Sequence, residues 1–305
     1  MWDAVLSPEF FYSILRLTTP ILFATLAATI AAKSGIINMA LEGIMLFSAL
    51  FGVIFSSIFG SSWMGLLITV LLGGIIGFIL AFFVLKLKTD AIIAAIAINL
   101  VAAGGTVLLM LAFSGDRGNS ASIASFQTPR VPIPFIENIP FLGDVLSNHN
   151  ILTYLSLISV IVLHIVLYKT PLGLKIRAVG ENKDAAESVG ISSRKIQFIA
   201  LILSCALASI GGFFLSGGYM TKFTTNMTAG RGYIALAASA MGGNTPIGGF
   251  LVSLLFGTAQ ALANAMQLAS FPSEFAQMLP YLVTVVGLGI YSYRLMKKRE
   301  KLSGK

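Results

Sequence analysis

Trp63-Met-Gly-Leu-Leu-Ile-Thr-Val-Leu-Leu-Gly-Gly-Ile-Ile-Gly-Phe-Ile-Leu-Ala-Phe-Phe-Val-Leu85 runs without one charged side chain. As a helix rising 1.5 Å per residue, about 20 such residues reach across the roughly 30 Å of a bilayer's hydrocarbon. Lipid offers no partner for an open sheet edge, so helix is the element to expect. Similar apolar runs cover 10–32, 36–59, 91–113, 151–168, 196–217, 231–242, 247–268 and 276–293. The sequence therefore predicts an all-α polytopic membrane helix bundle with about nine spans, forming a single domain over 1–305. The run at 231–242 is too short to cross alone. Because Gly242-Gly-Asn-Thr-Pro246 follows at once, it reads as half of a broken helix.

Composition agrees. Of 305 residues, 56% are hydrophobic and 10% charged, and mean hydropathy is +0.90, whereas soluble proteins carry about 25% charged residues. The formal charge of +8 is confined to short connections and the tail Arg294–Lys305. There is no basic stripe interleaved with exposed aromatics, which excludes nucleic acid as the partner and leaves membrane topology as the reason for the charge. With the tail placed in the cytoplasm, alternation puts fifteen of the twenty Lys and Arg inside and leaves Arg16, Arg117, Arg130, Lys222 and Arg231 outside. This asymmetry predicts a multi-pass plasma-membrane protein with N-terminus out and C-terminus in, and it requires 231–242 to count as a crossing. The start, with Asp3 and Glu9, lacks a basic region and a cleavage site, so the first span is expected to be retained. Cys205 is alone, His149 and His164 are the only histidines, and no Gly-x-x-x-x-Gly-Lys-Ser/Thr occurs. Neither a metal site, a nucleophilic triad nor ATP hydrolysis by that loop is expected.

Two polar segments interrupt the pattern. Ser114–Asn150, on the outside, carries Pro129, Pro132, Pro134 and Pro140 and a small apolar pattern of Ile136, Ile139, Phe141, Leu142, Val145 and Leu146; a loop of this length is usually functional. Lys169–Lys195, on the inside, contains a short helix signature, with Asn182 as N-cap, Asp184 and Glu187 in the first turns and Gly190 as terminator.

Polar residues in apolar runs are costly in lipid and usually face a cavity or another helix. Asn38 and Glu42 lie four apart, so on a helix they share a face. That face either lines a path or supports a gate, or Glu42 is an interfacial carboxylate near Lys33 or an interhelical bond. Ala31-Ala-Lys-Ser-Gly-Ile-Ile-Asn-Met39 and Ala238-Ser-Ala-Met-Gly-Gly-Asn-Thr-Pro246 each close a small-residue segment with Gly, then Asn, then a new apolar run. Such matched interruptions suggest an internal repeat and add Asn244 and Thr245 to the path candidates. Asn99 and Thr106 either face the pore or make packing contacts, and Phe47, Phe51 and Phe55 form either an aromatic substrate surface or a lipid-facing row.

Ser34-Gly-Ile-Ile-Asn-Met-Ala-Leu-Glu-Gly-Ile-Met45, the stretch from Thr170 to Ile191, and Ala240-Met-Gly-Gly-Asn-Thr-Pro-Ile-Gly-Gly249 resemble the permease subunits of bacterial ABC importers. The branch is that of ribose, galactose and branched-chain amino-acid permeases, and the likeness is greatest to its nucleoside members. It covers nearly the whole chain, and the 170–191 motif is its specific part. The resemblance implies that this loop is the coupling helix docking on a cytoplasmic ATPase, with Gly180, Glu181, Asn182, Asp184, Ala185, Ala186, Gly190 and Ile191 as contact candidates. It also implies the partners: an ATPase with two nucleotide sites, which binds the ATP while this chain binds no cofactor, a second permease chain, and an external substrate-binding lipoprotein that meets the Pro-containing loop. Ribose-type permeases have an additional span before the equivalent of 10–32; its lack here fits an external N-terminus and suggests the shorter of two unlike permeases. The implied activity is ATP-driven nucleoside import by alternating access, with a simple sugar as second substrate. The rivals are an ion-coupled transporter with Glu42 as proton site and, disfavoured by the missing constellations, a membrane-embedded enzyme.

Overall fold

The computed structural model describes residues 7–134, 139, 141–268 and 273–302; Asp3, Ile136, Pro140 and Lys305 of the sequence reading lie outside the described residues. Helix α1 is Pro8–Lys33. It starts where the Ser7 hydroxyl accepts the Phe10 N–H at 3.3 Å and Pro8 takes a first-turn position that needs no N–H partner. After a non-helical stretch, α2 runs Leu41–Phe59 and stops at Gly60, whose φ of 62° ends the helix in the left-handed region. Helix α3, Ser62–Ala81, widens into a π-turn at Phe82–Lys86. Asp90 then caps α4, Ala91–Ser114, by accepting from the N–H groups of Ile92 and Ile93. The loop that follows holds a two-residue antiparallel pair, β1 (Arg130–Val131) and β2 (His149–Asn150), flanking the short α5, Leu142–Leu146.

Helix α6 is Ile151–Lys169. The second polar segment forms two short helices, α7 (Pro171–Glu181) and α8 (Lys183–Ser188), with the corner at Asn182. Helix α9, Ser193–Phe214, ends in a π-turn at Leu215–Tyr219. Then come α10 (Arg231–Met241), α11 (Pro246–Leu268) and α12 (Ser273–Leu302). Among the described residues, seven helices are long and apolar enough to span a bilayer, and α12 contains the shorter apolar stretch Met278–Tyr293.

Helix α1 is the hub. Its Thr19 hydroxyl donates to Thr153 on α6 at 3.2 Å, its Thr25 hydroxyl accepts from Ser253 on α11 at 3.0 Å, and its Thr29 hydroxyl pairs with Ser239 on α10 at 3.0 Å. Ser204 on α9 donates to the Ala27 carbonyl at 2.7 Å. Between membrane helices, where apolar burial does little, such bonds and close packing of small residues do the joining. Helices α3 and α9 show the second device: a Cβ at Gly73 would collide with the Ser209 side chain, and one at Gly77 would lie 2.8 Å from Cβ of Cys205.

Helix α1 also serves as a depth scale. Ile21, at its midpoint, packs in one buried cluster with Ile234, Ala238 and Phe256, and Ala24 packs with Met45, Leu215 and Ala235. Helix α10 therefore starts near the membrane centre and descends past Thr29 to the Lys33 end. At 11 residues it is about 16 Å long, half a crossing. The other half is non-helical backbone at 220–230, where Phe223 is buried with Leu50 and Val53 and tied to Ser120 at the far end. The 231–242 run is thus half of a crossing, as its length required. The interruption, however, precedes it, and Gly242–Thr245 is a turn into α11.

These directions place Lys33, the 82–86 π-turn, Lys169, α7, α8 and Asn244 at one end of the bundle. At the opposite end, the 115–150 loop is tied down by Thr128 on the Gly217 carbonyl and by Phe126 N–H on Ser56. His149 stacks on Tyr12 with ring centroids 3.9 Å apart, and one ring nitrogen meets the Val145 carbonyl at 2.9 Å. Burial holds its pKa below the usual 6.5, the charges of Arg16 and Arg130 push the same way, and the Val145 carbonyl opposes them. The fold therefore favours neutral imidazole, and its contribution is complete above about pH 6.5 and lost as pH falls below it towards the folded-state value. Protection factors of the amides over residues 139 and 141–150, with the intrinsic base-catalysed rate divided out, should be lower at about pH 5.5 than at about pH 7.5. His149→Phe, which keeps the stack, should remove that pH dependence; protection equally pH-sensitive in the variant would show that His149 is not its source.

Candidate functional site

The stretch Ser34–Ala40 leaves the helical ladder inside the bundle. Gly35 turns the chain with φ 84°; the Ser34 carbonyl accepts from the Gln197 side chain at 3.1 Å. Asn38 is buried and saturated: its amide nitrogen donates to Ser204 at 3.0 Å and approaches Cys205 Sγ at 3.4 Å, and its oxygen accepts the Ala40 N–H at 3.1 Å. Since α2 begins only at Leu41, the expectation that Asn38 and Glu42 share one helix face does not hold. The break falls between them and turns them to different helices.

Asn99 sits opposite the start of α2. Its oxygen accepts the Gly43 N–H at 2.8 Å, while its nitrogen donates to the Met39 carbonyl at 2.9 Å and the Tyr233 hydroxyl at 3.1 Å. It caps α2 from a neighbouring helix, a task usually done by the residue just before the first turn. Glu42 does the same for α10: one carboxylate oxygen accepts the Gly230 N–H at 2.8 Å and the other the Gly232 N–H at 2.7 Å. A carboxylate at a helix N-terminus is favoured by the free N–H groups and by the helix dipole. Contact is so close that a Cβ at Gly232 would lie 2.6 Å from the Cα of Glu42. The segment's carbonyls are matched too, since Arg231 donates to Met227 and Thr228.

At the Lys33 end, the Thr245 hydroxyl accepts the Gly248 N–H at 3.2 Å and donates to the Gly242 carbonyl at 2.8 Å, capping α11. Asn244, at φ 51°, accepts from the Ser239 hydroxyl at 3.1 Å. It lines a cavity of about 230 Å³ with Lys33, Arg177, Gly180 and Glu181. Both matched interruptions of the sequence thus lie at this end. Thr106 is buried with its hydroxyl on the Ala102 carbonyl, and Phe47 and Phe51, half-buried, stack at 5.8 Å and pack against α4.

Gly180 stands against the backbone of the break: a Cβ there would collide with the Lys33 carbonyl and lie 3.0 Å from the Gly35 nitrogen. Asn182 caps α8 through the Ala185 N–H at 3.0 Å, and Gly190, at φ 81°, ends the corner. Glu181, Asn182, Asp184, Ala185 and Gly190 are exposed. Ala186, 4% exposed, and Ile191 instead pack inward on Ile176 and Val179 and seat the pair of helices on the bundle. Val189, 74% exposed, is an apolar surface residue that the capping signals did not single out.

The family described as "Branched-chain amino acid transport system / permease component" matches residues 10–288. The nucleoside ABC transporter permease protein NupC of Lactococcus lactis subsp. cremoris is 31% identical over 286 residues, 90% of this chain and 89% of that protein. The guanosine ABC transporter permease protein NupQ of Bacillus subtilis is 31% identical over 287 residues, 88% and 87% respectively. The putative glucose ABC transporter permease protein TsgC13 of Haloferax volcanii is 30% identical over 254 residues, 83% and 74%. No solved structure matches the chain at a significant level.

Asn99→Ala leaves the Gly43 N–H and the Met39 carbonyl unmatched inside the bundle. It should lower stability by about 1–3 kcal/mol, read as a drop in Tm of the detergent-solubilised protein; an unchanged Tm would show that Asn99 does not carry the start of α2.

Proposed function

The chain belongs to the permease family of branched-chain amino acid transport systems, and from that premise we propose that it is the transmembrane subunit of an ATP-driven importer of nucleosides. The carrying observation is the seat of α7 and α8: an exposed, capped helical corner whose Gly180 rests on the backbone where α1 breaks into α2. The names of two relatives, for nucleosides and guanosine, favour the substrate. A relative named for glucose makes a simple sugar the second reading.

An ABC ATPase and a substrate-binding protein are the partners that the family implies. In our reading the ATPase has two nucleotide sites and binds the ATP, the second permease chain is non-identical, and the binding protein is an external lipoprotein. Glu181, Asn182, Asp184, Ala185 and Gly190 then face the ATPase, and the end bearing α7 and α8 is cytoplasmic, with the N-terminus outside. Closure of the ATPase pushes α7 and α8. The push reaches the 34–40 segment through the Gly180 contact, and Glu42 carries it to α10 at the membrane centre. Alternating access follows because the two positions of these breaks expose the path to opposite sides, and ATP binding favours one of them.

In proteoliposomes holding the assembled complex, guanosine uptake should need ATP and no ion gradient; uptake that survives ATP removal contradicts the reading, and glucose uptake in place of guanosine selects the second one. Glu181→Lys with Asp184→Lys should uncouple ATP hydrolysis from uptake. Gly180→Ala should cut uptake per ATP hydrolysed by about tenfold, about 1.4 kcal/mol of coupling. Gly74→Ala, whose Cβ meets only ordinary contact with Ile202, serves as the silent control. Full coupling in the Gly180 variant would remove the proposed route.

A further inference from the structure

Two tyrosine rings stand at the centre of the membrane, away from the interfacial belts where tyrosine is usually found. Tyr233 lies in the first turn of α10, and its neighbour Ile234 packs with Ile21 at the midpoint of α1. Tyr281 reaches the same place from α12: its hydroxyl donates to the Ala229 carbonyl at 3.1 Å, and its oxygen would lie 3.1 Å from a Cβ on Gly230. Both hydroxyls are held by protein, Tyr233 accepting from Asn99 at 3.1 Å. The rings are thereby fixed while large parts of them stay open, at 47% and 51% exposure.

The backbone between them is the kind that lipid does not tolerate. Asn226 and Ala229 have φ of 57° and 44°, and both are exposed. Non-helical backbone at this depth persists only where it lines water or is covered by protein. In the same segment Thr228 Oγ1 and Arg231 Nε are buried and have no hydrogen-bond partner among the described residues. This face therefore suits a wall of the path, and what it presents to a passing solute is two anchored aromatic rings.

We propose that Tyr233 and Tyr281 form a stacking site for the base of a nucleoside halfway along the path. The inference rests on the nucleoside reading above and adds the residues that meet the substrate. A heteroaromatic base offers a flat π face to each ring, and such stacking tolerates any base, as an importer of several nucleosides needs. A free sugar has no such face. Stacking on ring faces holds weakly, which suits a station that the substrate has to leave. Phe47 and Phe51 have the same chemistry but pack against α4 and take no part.

The test uses the full complex with its binding protein in proteoliposomes, with guanosine as probe. Tyr233→Leu and Tyr281→Leu should each lower guanosine uptake about tenfold while ATP hydrolysis stimulated by the loaded binding protein stays at the unaltered level, which also shows that the variants fold and dock. Tyr233→Phe and Tyr281→Phe, which keep the rings, should retain most of the uptake. Guanosine uptake by the unaltered complex together with full-rate uptake by the Leu variants overturns this inference alone, as does equal loss in the Leu and Phe variants. An unaltered complex that imports a sugar and no guanosine overturns the nucleoside reading and the stacking site together.

Discussion

A backbone N–H or carbonyl without a partner costs several kcal/mol out of reach of water, and this chain leaves its helical ladder twice inside the bundle. At the first break Asn38 takes the Ala40 N–H, Asn99 takes the Gly43 N–H and the Met39 carbonyl, and Gln197 reaches the Ser34 carbonyl. At the second, Glu42 takes the Gly230 and Gly232 N–H groups, Arg231 the Met227 and Thr228 carbonyls, and Tyr281 the Ala229 carbonyl. Asn38, Asn99, Gln197, Glu42, Arg231 and Tyr281 are thus each explained by a backbone group that they satisfy at a break. The Glu42 pair has a further consequence: a side chain from one break satisfies the backbone of the other, so neither can shift without the other.

The rest of the bundle supplies the contrast. Helix α1 is bonded by its threonines and one carbonyl to four different helices, and α3 locks to α9 where glycines admit no side chain. Close-packed interfaces of this kind transmit displacement with little deformation. The breaks are held instead by hydrogen bonds from side chains of other helices. A stiff frame with two linked interruptions is a hinge, and Gly180 touches it at one end.

How much of this was legible follows from where the information lies in the chain. The spans were legible because length and apolarity are local properties: the run at 63–85 appears as α3 with its π-turn, and Asn182 and Gly190 cap and end a helix where their side-chain chemistry said they would. The shortness of α10 was legible for the same reason. Which side of it is irregular was not, because Gly242–Pro246 advertises a turn while the 220–230 backbone is stabilised by Glu42 and Ser120, 188 and 103 residues away. Asn38 and Glu42 misled because their spacing presumes a helix, whereas Asn38 competes for the Ala40 N–H and opens the ladder. Ala186 and Ile191 belong to the second polar segment yet point inward, a distinction set by packing on Ile176 and Val179 rather than by any motif. Tyr233 and Tyr281 gave no signal at all, being ordinary aromatics until the fold brings them to one level.

The same geometry bears on whether Glu42 is a clasp or a proton carrier. A carrier must exchange its proton with water and leave at least one oxygen free to take it. Here both oxygens accept from backbone N–H groups at 2.8 and 2.7 Å, and a proton on either would turn an acceptor towards a donor. Glutamine at this position would offer one oxygen and face the second N–H with another donor, so the carboxylate is the side chain that fits two free N–H groups two residues apart. An ion-coupled transporter would have to break both bonds, and with them the start of α10, in every cycle, whereas on the proposed reading an ATPase pushing on α7 would move the breaks as one piece with the clasp closed.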